Sequence, residues 1–144
     1  MNDSRHPHDD PLEVLVGFNA ELGFRLVEWE EGRAVMALDI QAKHRNRSGV
    51  LHGGVMATLI DAVCGHAGVW RPVGEPPAKA LTLTLTTNFM GQAREGTVTA
   101  VATRKGGGKR IFFAAGEVLA ADGTVLAMGE GSYRIRQSDP YSAG

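Results

Sequence analysis

The chain of 144 residues has a single cysteine, Cys64, so no disulfide can form within it. A reducing compartment, the cytoplasm, is the expected setting for such a chain. An excess of one charge sign is missing as well. Fifteen Lys and Arg stand against 16 Asp and Glu, for a formal net charge of -1. That removes the broad basic footprint of a nucleic-acid binder, and none is expected as a partner. Aromatic residues are scarce, at 6%. No apolar run crosses a bilayer comfortably, because the longest, Val55 to Trp70, contains Asp61. A membrane partner is therefore not expected. The first ten residues mix Asp3, Arg5, His6, His8, Asp9 and Asp10 without the apolar stretch that a secretory signal needs.

Glycine is what the chain has in quantity, at 19 residues. Apolar residues at 43% and charged residues at 22% are ordinary for one globular domain. Residues 1–10 read as a disordered polar tail and 137–144 as a flexible one, leaving a single domain over 11–136. A short amphipathic helix is expected from Pro11 to about Leu22. Two strands follow, Phe24 to Glu30 and Arg33 to Gln41, about a tight turn at Glu31-Gly32. A polar loop over 42–48 leads to Gly49-Val50-Leu51-His52-Gly53-Gly54 and then a helix from Val55 to Trp70. Beyond Pro72, Pro76 and Pro77 the pattern is strand-rich. Leu81, Leu83 and Leu85 alternate strictly with Thr82, Thr84 and Thr86, a period of two. Further strands are expected from Gly96 to Arg104, Lys109 to Ala121 and Thr124 to Arg136. Gly106-Gly107-Gly108 and the hairpin signal Asp122-Gly123 supply the turns. Strands gathered after one apolar helix predict an α+β fold with a mainly antiparallel sheet.

Asp61 is the only formally charged residue between Gly49 and Trp70. A helix apolar nearly all round is a buried helix. At 100° per residue, Asp61 is expected on a face of small residues with Ala57, Cys64, Gly65 and Gly68, opposite Val55, Leu59, Ala62, Val63, His66 and Trp70. A carboxylate in such a place costs several kcal/mol unless it is paired or put to use. Both readings stay open at this level: a general base, or a carboxylate hydrogen-bonded across an interface. The glycines ahead of the helix add a second element. A helix N-terminus has free N–H groups and a positive dipole end, which suit an oxyanion or a polarised carbonyl.

Asn46, His52-Gly53-Gly54 and Asp61, at these spacings, resemble the hotdog-fold acyl-CoA thioesterases, in particular the phenylacetate-pathway and small acyl-CoA branch. Thr82, seven residues before Phe89, adds to the likeness, which covers about residues 11–136. The resemblance implies an antiparallel sheet wrapped around one long central helix. It implies homodimers that assemble into homotetramers, with the active site between subunits. It also implies hydrolysis of acyl-CoA to free acid and CoA. The Gly53 N–H would polarise the thioester carbonyl, Asn46 would place the carbonyl or the water, and His52 would shape the loop and contact substrate. Asp61 of the neighbouring subunit would be general base or nucleophile, and Thr82 would hold the water. No separate cofactor is implied, since CoA is part of the substrate.

Arg104, Lys105, Lys109 and Arg110 surround three glycines in an otherwise neutral chain. The segment lacks the P-loop pattern and can be a solvated turn. With the resemblance, Lys105, Lys109 and Arg110 become candidates for the CoA phosphates. His44, His52 and His66 match no common zinc spacing, so no metal site is expected. Cys64 reads as an inert core thiol. Two other functions fit the fold: an acyl-thioester hydratase or dehydratase, and a non-catalytic acyl-CoA-binding module.

Overall fold

The computed structural model describes residues 15–137. The expected tail at 1–10, the start of the expected first helix and all but the first residue of the expected tail at 137–144 lie outside the described residues. That first residue, Gln137, instead ends the last strand, where it pairs with Ala78. Within them a short helix, α1 (Gly17–Leu22), precedes strands β1 (Arg25–Glu30) and β2 (Arg33–Asp39). A single 3-10 turn (Ala42–His44) leads through the polar loop to α2 (Gly53–Ala67). Then come β3 (Ala78–Phe89), β4 (Thr97–Gly107), β5 (Ile111–Leu119) and β6 (Val125–Gln137).

The six strands form one antiparallel sheet in the order β1-β2-β4-β5-β6-β3. The α2 helix packs on one face of that sheet, which is the architecture expected from the sequence. Val55, Met56, Leu59, Ile60, Val63, Cys64 and Ala67 form its buried stripe. Each large apolar side chain there contributes roughly 1.5–3 kcal/mol of burial. They meet Met36, Leu38, Val98, Phe112, Val118 and Leu126 from the strands. Glycine brings helix and sheet close. A Cβ on Gly129 would stand 2.6 Å from the Thr86 carbonyl oxygen and 3.0 Å from Ile60 Cγ2.

Three expectations change. The helix begins at Gly53 and ends at Ala67, two residues earlier and three residues sooner than the apolar run suggested. Its faces divide differently: Cys64 is in the buried stripe, whereas Ala62 and His66 share the open side with Asp61. The stripe follows neighbouring pairs such as 55/56, 59/60 and 63/64, which small residues such as Ala62 do not advertise by hydrophobicity. Gly106 and Gly107 belong to β4, so the turn is narrowed to Gly108, Lys109 and Arg110. The Asp122-Gly123 turn forms as read, with Gly123 at φ 88° and the Thr124 N–H donating to Asp122 Oδ1 at 2.9 Å.

The strict alternation in β3 is also broken. Thr82 pairs with Tyr133 and Thr84 with Ser132, so Leu83 is an extra residue in a β-bulge. Partners directly opposite share a face. Tyr133 is buried against the helix, which puts Thr82 on the helix side. Thr84 Oγ1 meets Ser132 Oγ at 2.7 Å on the outer side. Beyond the bulge, Leu85, Thr87 and Phe89 are the residues on the helix side.

Candidate active site

The loop before α2 is built by its own polar groups. Asn46 Oδ1 accepts from the N–H of Ser48 at 2.9 Å and of Val50 at 3.2 Å, and the Asn46 N–H donates to the Val50 carbonyl at 2.8 Å. His44 is buried and braces the loop with both ring nitrogens. Its Nδ1 accepts from the Gln41 N–H at 2.9 Å, and its Nε2–H donates to the Leu22 carbonyl at 2.7 Å. The His44 carbonyl in turn accepts from the His52 N–H at 2.8 Å.

His52 is the N-cap of α2, and its Nδ1 accepts from the Gly54 N–H at 2.7 Å. The imidazole thus satisfies one of the orphan donors at the helix start. Gly54 must be small here, because a Cβ would lie 2.9 Å from that Nδ1. The Gly53 N–H makes no hydrogen bond among the described residues. It stands at the positive end of the helix dipole, available to an oxygen that gains negative charge. The Phe89 ring lies beside it, 3.5 Å from where a Gly53 Cβ would be.

Asp61 lies two turns along the same helix. Its Oδ1 accepts from Thr82 Oγ1 at 2.8 Å and from the Tyr133 hydroxyl at 3.3 Å. The Tyr133 hydroxyl is also 3.3 Å from the Asp61 carbonyl oxygen. Asp61 opens onto a cavity of about 410 Å³ walled by Trp29, His66, Ala80, Thr82 and Tyr133. Trp29 is held in that wall by its indole N–H, which donates to the His66 carbonyl at 2.8 Å, and by an edge-on contact with the His66 ring at 5.4 Å. The site therefore has an apolar, aromatic side and one carboxylate.

Cys64 is no nucleophile in this setting. It is fully buried, and burial pushes its thiol up to about 12, with the Asp61 charge adding to the effect. Burial likewise raises Tyr133, so its hydroxyl keeps its proton and acts as a donor. His66 Nδ1 is 2.9 Å from the Ala62 carbonyl oxygen. Among the described residues no three His, Cys, Asp or Glu gather as metal ligands.

The basic hairpin is richer than the local sequence suggests. Ile111 pairs with Arg134, the Ile135 N–H donates to the Arg110 carbonyl, and Lys79 pairs with Arg136. One end of the sheet therefore collects Lys79, Lys109, Arg110, Arg134 and Arg136, and Lys79 also borders the Asp61 cavity. Arg104 is engaged elsewhere, donating to the Gly108 carbonyl at 2.9 Å and lying 5.4 Å over the Phe112 ring. Lys105 opens onto the outer face of the sheet with Thr103, Glu117 and Glu130, away from Asp61. Tyr133, Trp29, Arg134 and Arg136 had no motif to announce them. Only the pairing of distant strands brings them to the site.

Residues 48–127, more than half of the chain, match the thioesterase superfamily. This chain belongs to that superfamily. The matched span holds the Gly53 turn, Asp61 and Thr82, and Asn46 lies just ahead of it. Among curated relatives, "Putative esterase PA0474" of Pseudomonas aeruginosa is 41% identical over 81 residues, 56% of this chain. The match spans 59% of that relative's length, less than two thirds. Among solved structures, the conserved protein PA5202 of Pseudomonas aeruginosa superposes with a TM-score of 0.75 at 27% identity, over 85% of this chain and 95% of that one. A mutant of the phenylacetic acid degradation protein PaaI of Thermus thermophilus gives 0.69 at 24% identity, over 81% and 96%, a likeness of fold. The fold of this superfamily member is the hotdog fold of thioesterases.

Proposed function

We propose that this thioesterase-superfamily chain hydrolyses acyl-CoA thioesters in a site assembled from two copies of itself. One observation carries the reading: the free Gly53 N–H and the Asp61 carboxylate are both present, but on one helix they are eight residues apart, from 53 to 61. That separation is about 12 Å along the axis. A single thioester carbonyl cannot meet both within one chain. A second copy resolves this. Among the described residues β3 ends the sheet with an unpaired edge 12 residues long, and Leu85 on its helix side is still 37% exposed. Such an edge is a template for another strand. Antiparallel pairing of two β3 edges centred between Leu85 and Thr86 sets Thr82 opposite Phe89 of the partner subunit. Phe89 lies against Gly53, so the carboxylate of one copy then faces the helix N-terminus of the other. Two such dimers joined as a homotetramer complete the assembly we propose.

In this site the thioester carbonyl oxygen rests on the Gly53 N–H, with Asn46 and His52 holding that loop in shape. Asp61 takes a proton from water as the water oxygen bonds to the carbonyl carbon. Negative charge moves onto the carbonyl oxygen, where the N–H and the helix dipole stabilise it. Collapse expels the CoA thiolate, which recovers the proton, and the acid is released. Direct attack by Asp61 reaches the same products through a mixed anhydride that water opens. Lys109 and Arg110, with Arg134 and Arg136 beside them, are suited to the CoA phosphates. Lys105 joins them only where a phosphate reaches across the hairpin tip.

The test is thiol release over a panel of aryl and short, medium and long fatty acyl-CoA esters, with Asp61→Asn alongside. Loss of a general base lowers kcat by about 10²–10⁴-fold. Wild-type turnover that survives Asp61→Asn refutes the assignment. An enoyl absorbance change without thiol release favours the hydratase, and tight binding without turnover favours the binding module. In the same assay Lys109→Ala and Arg110→Ala raise KM for CoA esters, more at low salt, where screening is weak.

A further inference from the structure

Resting on that reading of Asp61, we propose that Thr82 and Tyr133 form a positioning pair that decides which carboxylate oxygen does the chemistry. Both hydroxyls are aimed at Oδ1, at 2.8 and 3.3 Å. Oδ2 accepts no hydrogen bond among the described residues, on a side chain that borders the 410 Å³ cavity. Oδ2 is thus the oxygen that takes the proton from water or attacks the thioester, while Oδ1 is held still.

Three separate features of the fold converge on this arrangement. The bulge at Leu83 shifts the phase of β3 at the residue after Thr82. Phase-shifting bulges re-aim side chains next to active sites. Without the extra residue, Thr82 could not lie on the helix side while Leu85, Thr87 and Phe89 do so as well. The second feature is the buried hydroxyl of Tyr133. A phenylalanine would fill the same slot, stacked on Phe112 at 5.1 Å between ring centroids and 13° between planes. Burying a hydroxyl in its place is costly unless it has a partner, and its partners are Asp61 Oδ1, the Asp61 main-chain carbonyl oxygen and the neighbouring Cys64 thiol. The third feature is Gly131, two residues before Tyr133 on the same face. A Cβ there would lie 2.8 Å from the Tyr133 hydroxyl oxygen, and equally 2.8 Å from Tyr133 Cε2 and from the Thr84 carbonyl oxygen, so the glycine makes room for the whole Tyr133 side chain against β3. Packing alone requires the glycine, but not the hydroxyl.

The experiment uses the full chain and one acyl-CoA ester that it turns over. Wild type, Asp61→Asn, Thr82→Val, Thr82→Ser, Tyr133→Phe and Asp61→Asn/Thr82→Val are compared for kcat, KM and Tm. Thr82→Val and Tyr133→Phe should each lower kcat by roughly 10- to 100-fold, the scale of misplacing a reacting group by about an ångström. KM should stay within about twofold. Thr82→Ser, which keeps the hydroxyl, should restore most of kcat. Introduced into Asp61→Asn, Thr82→Val should have no further effect, because the group it positions is gone. Wild-type kcat in both hydroxyl deletions, with Asp61→Asn inactive, overturns this inference and leaves the proposed function standing. So does a loss that Thr82→Ser fails to rescue, or one that tracks Tm and KM, as a purely structural role would. Should Tyr133→Phe fail to fold, Thr82→Val against Thr82→Ser decides alone. Activity retained in Asp61→Asn, or a wild type that hydrolyses no ester, removes the proposed function and this inference with it.

Discussion

Replacing His52 separates two roles that one side chain can play. Its Nδ1 caps α2 through the Gly54 N–H at 2.7 Å, so His52→Ala removes an N-cap and leaves an orphan donor. Loss of a cap costs about 0.5–2 kcal/mol. In a domain of this size each kcal/mol lowers Tm by roughly 3–4 °C. The expected fall is therefore about 2–8 °C. His52→Asn is the discriminating partner, because Asn is among the best N-caps and its oxygen can accept the same N–H. It should keep Tm within about 2 °C of wild type while deleting the imidazole. The activity measurement then reads the second role. If the ring serves only to hold the helix end, His52→Asn retains most of kcat and His52→Ala loses it. If the ring touches the acyl-CoA, both lose activity although only one loses stability. Calorimetry and thiol release on the same three proteins give the answer. A His52→Ala protein as stable as wild type, or a His52→Asn protein as unstable as His52→Ala, would refute the capping argument.

Two further outcomes are expected. The Arg25 guanidinium, donating to Asp39 Oδ2 at 2.6 Å, and Thr97 together hold the Asp39 carboxyl below its usual range. A lowered folded value means stability present above the unfolded value, near 4, and lost as pH falls through the folded one. The stability gap between wild type and Asp39→Asn should thus be small at neutral pH, because the pair is exposed, and should close in acid denaturation series below about pH 4. Cys64, buried and pushed up to about 12, should resist a thiol reagent in the native protein and react stoichiometrically in denaturant. Rapid native labelling would show that α2 opens far more readily than its packing implies.

Much of this protein could be read from short stretches of its chain. Period-two alternation marked the strands, Asp122-Gly123 marked a hairpin, and one charge in an apolar helix marked Asp61. These signals are local, because backbone preference and side-chain periodicity act over a few residues. The Asn46, His52-Gly53-Gly54 and Asp61 spacings carried the likeness to thioesterases for the same reason. The Gly53 turn and Asp61 belong to one loop and the helix that follows it, and Asn46 needs only its neighbours Ser48 and Val50 to form its turn.

Tertiary structure decided what depends on partners far away. The unbroken Leu-Thr alternation of β3 held no hint of a bulge, which arises from its register with β6, about fifty residues on. That register alone sets Thr82 beside Asp61 and brings in Tyr133, an unremarkable core aromatic until its hydroxyl has somewhere to point. The same pairing assembles Lys79, Arg134 and Arg136 around the hairpin. The buried stripe of α2 was likewise settled by the sheet, which took Cys64 inward and left Ala62 and His66 beside the carboxylate. Local sequence determined which elements form and where the reactive groups sit along them. Strand pairing, a long-range choice made by burial and hydrogen bonding together, determined which of those groups meet.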